Sequence, residues 1–252
     1  MATISFRMKR SPLTPSALSP SPRSIVRSCL TVTILIVLAA SPARPDPAVG
    51  TSYPSMAPLA QYLMPRDAEV TLARSAAPES ISRDAEVLVL SPHGFEVAVR
   101  GRNGFVCVVS RSWFSPIDDP QFWNPKERGP ICYNAAAARY FVPMLREKTD
   151  LVLAGKSIAA IRQEIRADIK DGKLPSLGAG AMCFMMAKAA YLNDNGGHGH
   201  PHLMFFLQGD LASTWGAGLP GSPIFSSIDK LDETTTFMVP VQHWSDGSPD
   251  IH

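Results

Sequence analysis

The stretch Glu86-Val-Leu-Val-Leu-Ser-Pro-His-Gly-Phe-Glu-Val-Ala-Val-Arg-Gly-Arg-Asn-Gly-Phe-Val-Cys-Val-Val-Ser110 decides the fold class. It contains three short apolar runs, at 86–90, 95–100 and 105–110, with breaks rich in Gly, Pro and Asn between them. Runs of this length and composition are typical of β-strands. Because the pair Asn103-Gly104 supplies the positive φ angles of a tight turn, the second break predicts a hairpin. We therefore predict three consecutive antiparallel strands.

Residues 112–133 interleave large aromatic side chains with four prolines, Pro116, Pro120, Pro125 and Pro130. Proline has no backbone N–H and a fixed φ angle, so this density excludes a helix or a central strand. We predict a long irregular segment. Its aromatic rings are expected to hold the segment on the core rather than to bind a ligand.

Helical patterns follow this segment. Asn134 is placed to cap a short helix over 135–139, and a second helix is predicted from Pro143, a good first-turn residue, to Gly155. Ser157 is placed to cap a third helix over 158–170, in which isoleucines recur at spacings of three and four. Such an apolar face must pack on another element, and the predicted sheet is the obvious partner.

The rest of the chain returns to extended runs, at 181–187, 202–207 and 236–241. Strands followed by helices and then strands indicate an α+β domain. We predict an antiparallel sheet of about five to six strands with helices packed on one face, formed by residues 81–252. Residues 44–80 are rich in Pro, Ala and Ser and are predicted to be a linker with short helices around 57–63 and 67–74.

The first 43 residues have the composition of a secretory signal peptide. Arg7, Lys9 and Arg10 precede an uncharged apolar stretch over 29–40, and small residues follow it. A membrane span needs about 20 apolar residues, so removal near Ala40 or Ala43 is favoured over the competing interpretation, an uncleaved anchor. We expect an exported protein, periplasmic or extracellular, with no stable membrane span after cleavage.

Charge and cysteine content narrow the classes of partner. The formal net charge is +2, and part of the basic excess lies in the signal region. No cluster of Lys and Arg marks the remaining chain, so no nucleic-acid partner is expected. In an oxidising compartment, Cys107, Cys132 and Cys183 predict one disulfide and one leftover thiol, although their spacing does not decide the pairing. The alternative is three buried, unpaired cysteines.

The segment Asn193-Asp-Asn-Gly-Gly-His-Gly-His-Pro-His202 contains half of the six histidines of the chain. Imidazole nitrogens bind zinc and related ions, and histidines two apart on an extended backbone project to the same side. The candidate metal ligands are His198, His200, His202, Asp194, His243 and His93, with a divalent ion such as zinc expected. The alternative is that Pro201 marks the entrance to the strand, so that His198 and His200 lie in a glycine-rich loop and do not share the face of His202. In that case His200 and His202 are turn residues that satisfy nearby carbonyls.

These observations support two functional hypotheses. The first is an accessory protein of the cell envelope that binds a metal or a small ligand. The alternative is a metal-dependent hydrolase, in which the histidine cluster activates water and Asp194 or Glu96 acts as base. A cysteine nucleophile is disfavoured, because Cys107 and Cys183 both lie in apolar runs that predict burial.

Several short segments resemble a group of uncharacterised exported bacterial proteins. They are Leu72-Ala-Arg-Ser-Ala-Ala-Pro78, Gly101-Arg-Asn-Gly-Phe-Val-Cys107, Ile131-Cys-Tyr133, Ala181-Met-Cys-Phe-Met-Met186 and His200-Pro-His-Leu-Met204. The resemblance covers most of residues 70–245. It implies export and a single domain, and it transfers no functional residue.

Overall fold

The computed structural model describes residues 52–196 and 199–251. The predicted signal peptide, residues 1–43, and the first candidate metal ligand, His198, lie outside the described residues. Within the described ranges, no helix is both long and apolar enough to span a membrane.

The described chain is a mixed α+β domain built on one eight-stranded sheet. The helices are α1 (Arg66–Arg74), α2 (Glu79–Ser82), α3 (Ala135–Leu153) and α4 (Ile158–Lys170). The strands are β1 (Glu86–Ser91), β2 (Gly94–Val99), β3 (Val106–Ser110), β4 (Gly129–Tyr133), β5 (Met182–Met185), β6 (His202–Gln208), β7 (Phe225–Asp229) and β8 (Thr234–Pro240). Their order across the sheet is β2-β1-β3-β4-β5-β6-β8-β7. All six runs predicted to be strands are strands, and β4 and β7 are additional.

The predicted hairpin between β2 and β3 is wrong. β1 pairs antiparallel with β2 and parallel with β3, so β1 separates the two strands. The connection 100–105 instead crosses the start of β1, where a Cβ atom on Gly101 would lie 2.1 Å from the backbone nitrogen of Glu86. The Asn103 side chain donates a hydrogen bond to the Ile81 carbonyl at 2.7 Å. The Asn-Gly pair therefore serves a crossover loop, not a tight turn.

The exclusion of a central strand from 112–133 is also wrong, because β4 is buried in the middle of the sheet and contains Pro130. Pro130 pairs with Val109 of β3, whereas the ladder with β5 includes only Cys132 and Tyr133. The backbone N–H groups of Arg128 and Asn134 point toward the β5 side, so the alternation of a strand directs the Pro130 nitrogen to that side as well. The missing donor therefore lies beyond the end of the β4–β5 ladder.

Helices cover both faces of the sheet, not one face as predicted. α3 packs on the face that carries Leu88, Val108 and Tyr133, and α4 packs against α3. α1 packs on the opposite face, with Ala73 against Val87 and its neighbours. Residues 52–80 therefore do not behave as the expected linker.

The long helix α3 and a disulfide in the sheet are two further features of the fold. α3 continues through Pro143 as one helix, where two were predicted, and begins with the Asn134 side chain accepting a hydrogen bond from Ala137 N at 2.9 Å. Cys107 and Cys132 are directly opposite each other on β3 and β4 and form a disulfide. Cys183 is buried and outside any disulfide, which decides the pairing that the sequence left open.

Candidate functional site

The candidate metal ligands are only partly brought together. His93 lies in the turn between β1 and β2, and three strands separate β1 from β6, which begins with His202. His243 follows β8 and forms an isolated bridge with Pro249. His93 therefore belongs to a different part of the sheet from His202.

His200 and His202 make contacts within the chain. His202 Nδ1 lies 2.7 Å from the His200 carbonyl oxygen, to which the ring donates its proton. His200 Nδ1 lies 2.7 Å from Asp250 Oδ2. Burial lowers the pKa of His202, which favours the neutral ring. Of these contacts only that of His202 is with a nearby carbonyl, and His202 is the first residue of β6 and not a turn residue.

Asp194 belongs to a different cluster. It accepts hydrogen bonds from the hydroxyls of Tyr53, at 2.6 Å, and Tyr191, and it forms an ion pair with Lys126 at 2.6 Å. The hydrogen bond from Lys126, with those from the two tyrosines, holds the pKa of Asp194 well below its usual range. Asp194 therefore connects Tyr53, near the start of the described chain, to the loop after β5.

No group of three or more metal-ligating side chains gathers among residues 52–196 and 199–251. Glu96, the second base considered, pairs with Arg66 at 2.6 Å on the edge strand β2. Burial raises the pKa of the Cys183 thiol well above its usual value, which disfavours a thiolate nucleophile. A metal site that includes His198 stays a prediction.

The described part of the chain contains a cavity of about 270 Å³ between α3 and the sheet. Its apolar walls come from both elements and include Ile131, Met185, Met204, Phe206, Met238, Phe141 and Met144. Ser227 and Ile228 of the edge strand β7 also line the cavity and are exposed, so the cavity opens at this edge. A mostly apolar pocket with a few polar groups is typical of small-molecule sites.

Lys148 is the basic residue among those that line this cavity. It lies on α3, its residue is only 1% exposed, and its Nζ atom is 5.5 Å from the centre of the Phe114 ring. No residue that the structure describes forms a hydrogen bond or an ion pair with that nitrogen. Burial lowers the pKa of Lys148, opposed by the more distant charges of Asp229 and Asp232. The result is a buried amine with unused hydrogen-bonding capacity facing an apolar space.

Glu127 supplies a carboxyl group to the same cavity. Ser115 donates a hydrogen bond to its Oε1 atom at 3.2 Å, and burial raises its pKa to about 8. The group is therefore largely protonated at neutral pH and is able to donate a proton. Ser115 follows Phe114 in the chain, so this short segment connects the surroundings of Glu127 and Lys148.

Two further carboxyl groups line the cavity near the turn between β7 and β8. Asp232 accepts hydrogen bonds from the Tyr140 hydroxyl and from its near neighbour Thr234 N. Asp229 accepts from Leu231 N at 2.8 Å, and burial raises its pKa. Because both groups line the cavity that Lys148 faces, an anionic ligand would meet like charge there.

No motif in the sequence predicted this site. One signal was present: Phe141, Met144 and Lys148 are spaced three and four apart, so a lysine falls on the apolar stripe of a helix. Glu127 had no such signal, because it lies in the proline-rich segment without periodicity.

No family model matches the chain, and neither a curated protein nor a solved structure shows significant similarity to it.

Proposed function

We propose that this chain is an exported accessory protein of the cell envelope that binds a small, largely apolar molecule in the cavity between α3 and the sheet. The observation that carries the proposal is the cavity itself, with its aliphatic and aromatic walls and its buried polar groups. Its volume, about 270 Å³, is near the lower end of small-molecule sites, which span roughly 300–1,000 Å³. The ligand is therefore small.

Export is the second part of the proposal. It is supported by the basic and apolar pattern of the first 43 residues and by the disulfide between Cys107 and Cys132. Disulfides persist mainly in oxidising compartments. Expression of the full chain in a Gram-negative host, followed by fractionation and mass measurement, tests this part. We expect a product in the periplasm or medium that begins after Ala40 or Ala43.

Calorimetric titration with 1-octanol tests ligand binding. We expect saturable binding with a negative heat-capacity change, since apolar surface is buried when the probe enters the cavity. The variant Thr236→Phe places a ring in the cavity from β8 and should abolish binding. Val239→Phe, on the opposite face of the same strand, is the matched control and should bind as the native chain does.

The proposal fails if octanol binds equally to the native chain and to a folded Thr236→Phe variant, or if the native chain shows no saturable binding. Circular dichroism of both variants establishes that they are folded. The heat of titration then reports on the cavity and not on the fold.

A further inference from the structure

Lys148 has an unusual position even for a ligand-binding cavity. Removing a charged ammonium group from water without a hydrogen-bonding or ion-pair partner carries a large desolvation penalty. A lysine in this position reduces that cost by releasing its proton. The neutral form that burial favours presents a primary amine, with a lone pair on Nζ, to the cavity.

A neutral amine that faces an apolar cavity has a specific chemistry. Desolvated lysines act as nucleophiles toward carbonyl compounds and form Schiff bases. A carboxylate ligand would fit less well, because Asp229 and Asp232 line the same cavity as Lys148. A neutral carbonyl compound avoids that repulsion and retains the apolar contacts.

We propose that Lys148 captures a small apolar aldehyde as a Schiff base in the cavity between α3 and the sheet. This inference rests on the proposed function, and it names the ligand class of the same site.

The chemical step balances without an oxidant or a reductant. The Nζ lone pair attacks the carbonyl carbon, the electron pair of the C=O π bond moves to oxygen, and one proton passes from nitrogen to that oxygen to give a neutral carbinolamine. In the dehydration the hydroxyl takes up a second proton and leaves as water, while nitrogen loses its remaining proton and forms the C=N bond. Amine and aldehyde therefore give imine and water, and two protons in all pass from nitrogen to oxygen.

Glu127 is suited to assist these proton transfers. It lines the cavity, and its carboxyl group has the proton at neutral pH, because burial raises its pKa to about 8. It can give that proton to the departing hydroxyl and later accept the proton released from nitrogen. The Phe114–Ser115 segment contacts both side chains, through the Phe114 ring near Lys148 Nζ and the Ser115 hydroxyl bonded to Glu127.

Reductive trapping tests the inference. The full chain is incubated with substoichiometric octanal and sodium cyanoborohydride, which reduces an imine to a stable secondary amine, and the labelled lysines are found by peptide mapping. We expect one octyl group, on Lys148. The exposed Lys156 is the internal reference. Burial lowers the pKa of Lys148 and so enlarges the neutral, nucleophilic fraction of its amine, and the cavity holds the aldehyde beside it, so we expect Lys148 to be labelled faster than Lys156.

Four variants and one competitor sharpen this test. Lys148→Met and Lys148→Arg should both lose the label while remaining folded by circular dichroism, and Lys156→Met should retain it. Glu127→Gln should slow labelling of Lys148 about tenfold or more, because the general acid is removed. Octanol, which fills the cavity but has no carbonyl group, should protect Lys148.

The possible results separate this inference from the proposed function. If octanol binds but octanal labels only exposed lysines, covalent capture is wrong and the cavity proposal stands. Tighter binding of octanoate than of octanol, lost in Lys148→Met, would likewise overturn the Schiff base and identify an ion pair. If neither octanol nor octanal is bound, both proposals fail.

Discussion

The Nζ atom of Lys148 lies 5.5 Å from the centre of the Phe114 ring, and among the residues that the structure describes that nitrogen has neither a hydrogen bond nor an ion pair. A cation near a ring face gains roughly 0.5–2 kcal/mol. Removing a charge from water costs several times more. Burial of the Lys148 ammonium group therefore lowers the free energy of unfolding, and it places a polar group in the cavity.

Replacing Lys148 by Met should stabilise the protein. Methionine has a similar length and no charge to desolvate, so we expect the free energy of unfolding at neutral pH to rise by about 1 kcal/mol or more. Chemical denaturation of the native chain and of Lys148→Met measures the difference. Lys156→Met, at an exposed position, should change stability by no more than about 0.5 kcal/mol.

The gain from Lys148→Met should also depend on pH. Burial lowers the pKa of Lys148, so the folded chain binds fewer protons at this site than the unfolded chain does. The native penalty is then largest below the lowered pKa and disappears as pH rises above the usual lysine value. Glu127, Asp229 and Asp232 line the same cavity and face this lysine. A stabilisation that grows with rising pH would contradict this interpretation.

Glu127→Gln should remove a pH dependence of the opposite kind. Burial raises the pKa of Glu127 from 4.5 to about 8, so the folded state binds the extra proton between these values. The stability of the native chain should therefore fall as pH rises from 4.5 to about 8, and Glu127→Gln should flatten this decline. Denaturant midpoints at several pH values measure it. Glu164→Gln, in an exposed pair with Lys156, is the control and should leave the slope unchanged.

Local patterns predicted the elements well and their arrangement poorly. Alternating apolar runs identified six strands, and the isoleucine spacing identified α4 with its Ser157 cap. The partner of a strand depends on contacts distant in sequence. Gly101 fits against the backbone at Glu86, and that contact converts an apparent hairpin turn into a crossover. Nothing within the loop itself distinguishes the two uses of Asn-Gly.

The candidate site was less predictable still. The clustered histidines suggested a metal site, yet His93 lies in the turn between β1 and β2, and three strands separate β1 from β6, which contains His202. The cavity is built from single residues of several strands, one helix and a loop, so no local motif records it. Lys148 was recognisable in principle as a charge on an apolar stripe. Its role could not be inferred from the sequence, because only the fold shows whether another side chain forms a hydrogen bond or an ion pair with it.

Reduction of the disulfide between Cys107 and Cys132 should lower the stability of the domain. Reduction alone should not unfold the central strands. The bridge closes a loop with a sequence separation of 25 residues, for which loop entropy gives about 3 kcal/mol. Thermal unfolding with and without dithiothreitol should show a clear decrease of the Tm. Cys183→Ala should keep the same sensitivity to reductant, and a loss of sensitivity in that variant would indicate a different pairing.

Glu69 and Arg111 are both fully buried, with Oε1 and Nη2 2.8 Å apart, and they join α1 to the end of β3. The same Oε1 atom accepts a hydrogen bond from Leu90 N, and Arg111 Nε donates to the Tyr62 carbonyl. Arg111→Met should cost about 3–5 kcal/mol, because it leaves the Glu69 carboxylate buried without its partner.

The double variant Glu69→Gln/Arg111→Met removes both charges and should recover part of that loss. A double-mutant cycle by urea denaturation measures the coupling, which should exceed about 1 kcal/mol for residues in direct contact. Simple additivity would mean that the pair contributes packing alone. A large coupling would instead show that α1, within the segment whose composition suggested a linker, is held to the sheet by a specific buried charge pair.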